Sequence, residues 1–516
     1  MLYNGNIITL NENETIASAL AVNNDKISKI GDYEEIRNLL GKNTKKVDLE
    51  NKTVIPGFID SHIHLISLGL AMQVIDLREI NSKTTLLFKI KEKVKETPPK
   101  HWIKGYGFNE TKINELPNRY ELDKISPKNP IYLEDIDSKT CIINSIAIKT
   151  IKINHNMNGV KVEINKRTGE LTGLIKVEDQ KLLYEVVRIP TIDPVDETLE
   201  ESELERAIEI ASEKAIRVGI TSIHDLQLPP KGIRAFKKAV CNDKTPLRVY
   251  IGCDRNKDIE LQNYIDEGLG TEPYSNRVKI GIVKLFADGR MPITEFKRRV
   301  IEAHRLGYQL AIHSSDNEQV KNSLEALEDA AKMIPFKDNR HRIEHAYTIN
   351  KNMIERIKNL DLFTSSQPET IFKIERKFPE NVLIVPLGSL IKKGVTVVGG
   401  SDSPTLNASR RAIFPRTFPN PLVGLSFEVF RKTEKGITLE GKESISFLEA
   451  LKMHTINGAH ASFEEKIKGT LEEGKLADLV VLSENPFEID SDRIKDIKVE
   501  MTIIGGKIVY NKNCYH

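Results

Sequence analysis

Residues 54–65, Val-Ile-Pro-Gly-Phe-Ile-Asp-Ser-His-Ile-His-Leu, decide the fold of this 516-residue chain. The run is apolar, too short for a helix with a buried face of its own, and closed by two histidines, so it reads as a buried strand carrying chemistry at its C-terminal end. Runs built the same way recur down the chain: GITSIHDL (219–226), LRVYIGCD (247–254), VKIGIVKLFADG (278–289), YQLAIHSSD (308–316), RHRIEHA (340–346), LFTSSQP (362–368) and VTVVGGSDSP (395–404). They number about eight, and most are separated by an amphipathic stretch such as KRRVIEAHRLG (297–307), as a parallel sheet closed into a (β/α)8 TIM-type barrel requires.

Outside the barrel, alternating stretches NGNIITL (4–10) and SALAVNNDKISKIG (18–31) have counterparts in LADLVVL (476–482) and EMTIIGGKIVYN (500–511). Neither end can bury a core alone, so both ends are expected to form one small β-sandwich domain. Between Leu65 and Gly219 lie about 150 residues where a barrel connection needs one helix and short loops. This stretch holds a helical run, LLFKIKEKVKE (86–96), and strand-like pieces HWIKGYGF (101–108) and PIYLED (130–135), and reads as an inserted α+β subdomain after barrel strand 1. The expected division is 1–53 and 466–516 for the β-domain, 54–67 for barrel strand 1, 68–200 for the insertion and 201–465 for the remaining barrel. Leaving the barrel at its C-terminal face, the insertion is expected to cover the substrate site.

With Lys+Arg 76 against Asp+Glu 74 and aromatics at 6%, charge is balanced, which speaks against a nucleic-acid partner and a basic membrane face. The opening residues lack a secretory pattern and no stretch approaches the roughly 18 apolar residues of a membrane span, so a cytoplasmic protein is expected. Cys141, Cys241, Cys253 and Cys514 form no CxxC pair, so any metal must rest on nitrogen and oxygen.

His62 and His64, two apart in a strand, point to one face. Alone they could be hydrogen-bonded core histidines. His313, His345 and Asp402 stand at or after the ends of other strands, and four imidazoles with a carboxylate on one rim suit zinc or another borderline divalent ion. Lys284 lies at the same rim. As an ammonium it cannot bind a cation and reads as salt-bridged or solvated; carboxylated by carbon dioxide, it would become a two-oxygen ligand able to bridge two metals. Asp402 follows Gly399-Gly400, where the backbone can turn sharply and present a carboxylate. Asp225, Asp288, Asp316 and His224 fall near strand ends, either as orienting partners of the imidazoles or as caps and turns. His101, His155, His304, His341, His454, His460 and His516 read as surface or packing residues.

With these residues in place the chain resembles the amidohydrolase superfamily, in particular the YtcJ-like branch that includes N-substituted formamide deformylases. The resemblance is carried by VIPGFIDSHIHL, GITSIHD, VKLFADG, RIEHA, GGSDSP and the tail GTLEEGKLADLVVL (469–482), and in the insertion by GYGFNE (105–110), Leu122-Asp123 and Asn144-Ser145. It implies metal ligands at His62, His64, Lys284, His313, His345 and Asp402, with the lysine carboxylated where the centre is binuclear, and hence two divalent ions, zinc by preference. The reaction it implies is hydrolysis of an amide-type C–N bond in a small-molecule substrate by a metal-activated hydroxide, with Asp402 as the proton-transfer group; self-association is left open. Three stretches depart from the branch: Asp137-Ser138-Lys139 replaces an Asp-Gly-His triplet, Arg290-Met291-Pro292 replaces a longer Gly/Ser-rich loop, and Glu369-Thr370 follows Gln367-Pro368 where a histidine is common. All three lie on expected substrate-facing loops. A mononuclear deaminase of the superfamily would want a glutamate soon after His313, which is followed by Ser314, Ser315 and Asp316. A non-catalytic scaffold would be expected to have lost ligands, and none is missing.

Overall fold

A computed structural model describes all residues except 152–158, 180–181, 184–198, 256–258, 271–272, 336, 369–382, 405–418, 434 and 515–516. Glu369, Thr370, His155 and His516 therefore lie outside the described residues. Two compact units are present, one containing Met1–Ile66 and most of the chain from Glu201 onward, the other containing Ser67–Glu200.

The first unit contains an eight-stranded sheet in which every neighbour pair is parallel and consecutive: β1 (Phe58–Ile63), β2 (Ile220–Leu228), β3 (Arg248–Asp254), β4 (Val278–Phe286), β5 (Gln309–Ser314), β6 (Arg342–His345), β7 (Phe363–Ser366) and β8 (Val397–Gly399). Just past β8 the chain meets the C-terminal end of β1 through main-chain hydrogen bonds, and the sheet becomes a nearly closed barrel. Helices between the strands follow a 3.6-residue spacing. In Glu201–Arg217 the buried Leu204, Ala207, Ile208, Ala211 and Ala215 make one stripe, with Glu201 and Glu203 in the first turn and Lys214 and Arg217 in the last, matching the helix dipole.

Strands from both chain ends share a second sheet, in the order Lys507–Asn511, Val499–Ile504, Leu479–Leu482, Thr53–Pro56, Leu2–Ile8, Ile16–Asn23, Lys26–Gly31, with Val47–Asp48 on Leu2–Ile8. Leu2, Ile7, Leu20, Val54, Leu479, Val481 and Ile503 form its common core. The run 54–65 is thus divided between two sheets: Val54 pairs with Val481, whereas Phe58 onward joins the barrel. Gly57 makes the crossing because a Cβ there would lie 2.3 Å from the Thr221 side chain. Arg248 on β3 reaches Asp478 with two hydrogen bonds of 2.6 and 3.0 Å, a buried bidentate pair that ties barrel to β-sheet.

In the second unit a six-stranded sheet runs Val160–Ile164, Leu171–Val177, Thr140–Ile143, Ile131–Asp135, Ile103–Phe108, Ile75–Asp76, with the helix Lys83–Glu96 contributing Leu86 and Ile90 to the core. Leu122-Asp123 and Asn144-Ser145 act together: Asp123 accepts from Ser145 N and Oγ at 2.9 and 2.6 Å, and Asn144 caps the helix Ser145–Thr150. Asp137-Ser138-Lys139 is a turn fastened by Asp135, which accepts from Lys139 N and Thr140 N. No described helix is long and apolar enough to cross a membrane.

At the N-terminal end of the barrel strands, His304 and His341 form a relay whose protons are fixed by their partners. Leu310 N donates to His341 Nδ1 (3.0 Å), so His341 carries its proton on Nε2 and gives it to His304 Nδ1 (3.1 Å); His304 Nε2 then donates to Ile334 O (2.8 Å). Burial, followed by the charge of His304, pushes His341 down from 6.5 to about 3. Because its folded value lies below its unfolded one, the relay's contribution is present above pH 6.5 and is lost as pH falls toward 3. His341→Gln offers the same acceptor and donor without titrating, so its urea-unfolding free energy should fall less between pH 7.5 and 5 than that of the parent. Equal slopes would show that the relay does not carry the acid sensitivity.

Candidate metal centre

Strand β1 brings His62 and, one residue past its end, His64 to the C-terminal end of the barrel. From β8 the chain passes to Asp402, and the two segments lie main chain against main chain. Asp402 N donates to His62 O at 2.6 Å and His64 N to Ser403 O at 2.9 Å. Asp60 Oδ1 accepts from both Ser401 N (2.9 Å) and His62 N (3.2 Å). The glycine pair serves this approach rather than the turn expected of it: a Cβ on Gly400 would lie 2.5 Å from His62 N, and one on Gly399 2.3 Å from the His454 ring. The sharp turn is made by Asp402 itself, at φ +53°.

The six residues singled out from the sequence come together. His62 Nε2 and His64 Nε2 stand 3.3 and 3.1 Å from Asp402 Oδ1. The His345 ring lies 5.0 Å from that of His62 and 4.3 Å from that of His313. Lys284 on β4 is buried, and its charge acts on His62, His313 and His345. Strand alternation alone would send His345 away from the face that Glu344 occupies; its φ of +81° at the end of β6 releases it from that parity.

The rings are oriented from behind. His64 Nδ1 donates to Leu226 O (2.8 Å), His62 Nδ1 faces Glu344 Oε2 (2.7 Å), and His345 Nδ1 faces Gln367 Oε1 (2.7 Å). With protons held at Nδ1, the Nε2 lone pairs of His62 and His64 aim where Asp402 Oδ1 also points. Three electron-rich atoms converging in this way call for a cation between them, and imidazole nitrogen with carboxylate oxygen is a donor set for zinc. The residues therefore fit a divalent ion. His313 differs, its Nε2 meeting Ser315 Oγ at 3.1 Å.

Electrostatics follow from burial and this crowding. Burial would raise Asp402, but the charges of His62, His64 and His345 hold it far below the usual carboxylate range. Burial and then Lys284 push His62 down to about 3, while at His64 burial is outweighed by the Asp402 carboxylate and the pKa rises. Burial lowers Lys284 to about 8 against the opposing pull of Glu344 and Asp402. Burial raises Asp225, beside His64, to about 7.

Two residues that sequence reasoning did not single out lie under the centre. Arg342, fully buried in the barrel, gives Nε to Glu344 Oε1 (2.7 Å) and Nη2 to Glu344 Oε2 (3.1 Å) and Ser61 O (2.7 Å). Burial would raise Glu344, yet Arg342 and His62 keep it ionised. The available signal was parity: Arg342 and Glu344 are two opposite charges on one face of a buried strand. The other candidates divide. Asp225 stands beside the centre, accepting from Leu65 N at 2.9 Å. His224 accepts from Arg342 Nη1 at 3.0 Å. Asp316 is the N-cap of the helix Asn317–Met333, accepting from Glu318 N and Gln319 N, and Asp288 is paired with Arg290, so neither orients a ring. Of the histidines set aside, His454 is buried against Glu428 (3.2 Å) and His460 packs on Phe363, as packing residues do.

Residues 45–510 match the amidohydrolase family. The chain belongs to that family. This amidohydrolase is 28% identical to YtcJ of Bacillus subtilis across 99% of both chains. It is 27% identical to the N-substituted formamide deformylase of Arthrobacter pascens, across 99% of this chain and 98% of that one. Its fold is similar to the crystal structure of an uncharacterized metal-dependent hydrolase from Pyrococcus horikoshii, with a TM-score of 0.71 at 23% identity over 95% of this chain and 98% of the other.

In this amidohydrolase, Glu344→Gln should lower stability, because it leaves the buried Arg342 without its counter-charge, and should weaken the grip on the His62 ring. Metal affinity, titrated against a chromophoric chelator, is expected to drop about 10–100-fold, the usual cost of losing a partner behind a metal-binding imidazole. Affinity equal to the parent's would remove Glu344 from that role.

Proposed function

We propose that this amidohydrolase hydrolyses an amide-type C–N bond of a small-molecule substrate at a centre of two divalent ions, preferably zinc, held by His62, His64, His313, His345, Asp402 and a carboxylated Lys284. The observation that carries this reading is the convergence of His62 Nε2, His64 Nε2 and Asp402 Oδ1. When bound, a divalent ion polarises a carbonyl and lowers the pKa of water from about 15.7 to roughly 7.

Each residue has a task that its surroundings support. His62 and His64 are locked in one orientation by Glu344 and Leu226 O and so bind without rearrangement. Asp402 touches both with Oδ1, and its second oxygen is the group to take the proton of the attacking water and pass it to the departing nitrogen as the C–N bond breaks. Lys284, carboxylated at Nζ by carbon dioxide with loss of a proton, turns from a buried cation among imidazoles into an anionic bridge. Deamination finds less support: the acidic residue nearest after His313 is Asp316, which is spent on a helix cap. A cytoplasmic setting is supported by Cys141, Cys241, Cys253 and Cys514, all unpaired, two of them exposed.

Elemental analysis of protein purified without chelator should find two divalent ions per chain; a fully active preparation free of transition metal would end this reading. Lys284→Ala should lose most metal and activity, with partial recovery of both on adding a short carboxylic acid. Asp402→Asn should fold, retain much of its metal and lose at least ~10²-fold in turnover, the lower range for a positioned acid–base group. Near-parental turnover with metal in place would pass the proton-transfer role to another group.

A further inference from the structure

Strand β4 ends at Phe286, and only Ala287–Pro292 separate it from the helix Ile293–Arg305. The Phe286 ring stacks on the His313 ring, with centroids 4.7 Å apart and planes 23° apart. Arg290 lays its guanidinium over the same phenyl ring, Cζ 3.6 Å from the centroid. The guanidinium is therefore no farther from His313 than those two separations added together, and its charge acts on Lys284.

Asp288 fixes the direction of this cation. Its carboxylate accepts from Arg290 Nε at 2.9 and 3.0 Å and from Nη2 at 2.6 Å, and Oδ1 also accepts from the Arg290 main-chain N. A guanidinium has five N–H groups. Nη1 has no hydrogen-bond partner among the described residues, and the Arg290 side chain is 42% exposed, so the edge turned away from Asp288 is open. A surface ion pair between neighbours in sequence needs no aromatic plate beneath it and contributes little by itself. A guanidinium clamped by a carboxylate on one edge and a ring on its face, beside a reacting centre, is instead held ready for a planar anion.

We propose that Arg290 sets substrate choice: the amide hydrolysed here carries a carboxylate a few bonds from its scissile carbonyl, received on the Nη1 edge of Arg290. This rests on the hydrolase reading above and names its substrate class. Because Asp288 cancels most of the long-range field, the gain comes from short hydrogen bonds and depends on chain length.

The experiment compares N-formylglycine, N-formyl-β-alanine and N-formyl-4-aminobutyrate with N-formyl-n-alkylamines of matched length, using zinc-loaded enzyme. At one chain length kcat/KM for the acid should exceed that for its neutral partner at least ~10-fold, within the range of a charge-assisted hydrogen bond. Arg290→Met should bring that ratio close to one, chiefly through KM, and Arg290→Lys should keep part of it. Asp288→Asn, which frees the guanidinium without removing it, should lower the ratio as well and serves if the Met variant fails to fold. Equal rates for acids and neutral amides in the parent, or a preference that survives Arg290→Met, would overturn the proposal while leaving the hydrolase reading standing. Absence of hydrolysis in both series would instead bring down the hydrolase reading and this one with it.

Discussion

The main-chain contact between Gly400 and His62 is the constraint on which the rest of the structure depends. A barrel closes only where its first and last strands come close enough to share hydrogen bonds, and here the chain just past β8 bonds to the C-terminal end of β1, through Asp402 N to His62 O and His64 N to Ser403 O. No side chain fits between them, since a Cβ on Gly400 would stand 2.5 Å from His62 N. Closing the ring and assembling the candidate centre are consequently one event. Residues separated by more than half the chain, His62, His64 and Asp402, become neighbours through backbone hydrogen bonds rather than through the side chains that would do the chemistry. Asp60 adds a brace by accepting from both segments at once.

Charge is arranged in layers beneath that seam. A buried carboxylate or guanidinium is costly alone, and removing one partner of a buried pair leaves the other uncompensated at about 3–5 kcal/mol. Arg342 and Glu344 satisfy each other within the barrel, and Arg342 spends its remaining donors on Ser61 O and His224. Asp402, one layer higher, has no guanidinium partner among the described residues. Its carboxylate faces the Nε2 atoms of His62 and His64, and a divalent ion seated among these three atoms would add positive charge beside it.

How much of this was legible in the sequence depended on whether a feature is local. Each strand announced itself as an apolar run, and the ligand candidates stood at or near the ends of those runs, so fold class and a candidate list containing the six clustered residues could be read from position, and the resemblance to the superfamily narrowed that list. Contacts between strands could not. Glu344 and Gln367 orient His62 and His345 from other segments of the barrel, and no spacing within one segment reveals a partner on another. The Gly399-Gly400 pair was legible as special but not for the right reason, because conformational freedom and lack of a side chain look the same in a sequence. Asp316 and Asp288 show the converse: a carboxylate just past a strand serves a helix cap or a nearby arginine as readily as a histidine, and only the fold decides which.

Two residues of the candidate centre depart from the backbone conformation of a regular strand. His345 and Asp402 take left-handed φ values of +81° and +53° although neither is glycine. Such residues cost of order 1–3 kcal/mol and persist where the surroundings over-determine them. At Asp402 the restraint is visible in the hydrogen bond from its own N–H to His62 O, one of the bonds that close the ring. At His345 it is the ring's Nδ1 held by Gln367. At His345 the departure frees a side chain from the strict alternation of a strand, which would allow only every second residue to face inward; at Asp402, beyond the end of β8, it turns the chain so that the carboxylate meets His62 and His64. Consecutive residues Glu344 and His345 can then serve the same centre from opposite sides of the His62 ring's function, one orienting it and the other standing beside it as a fellow ligand candidate. The strain sits where a regular strand could not supply enough groups.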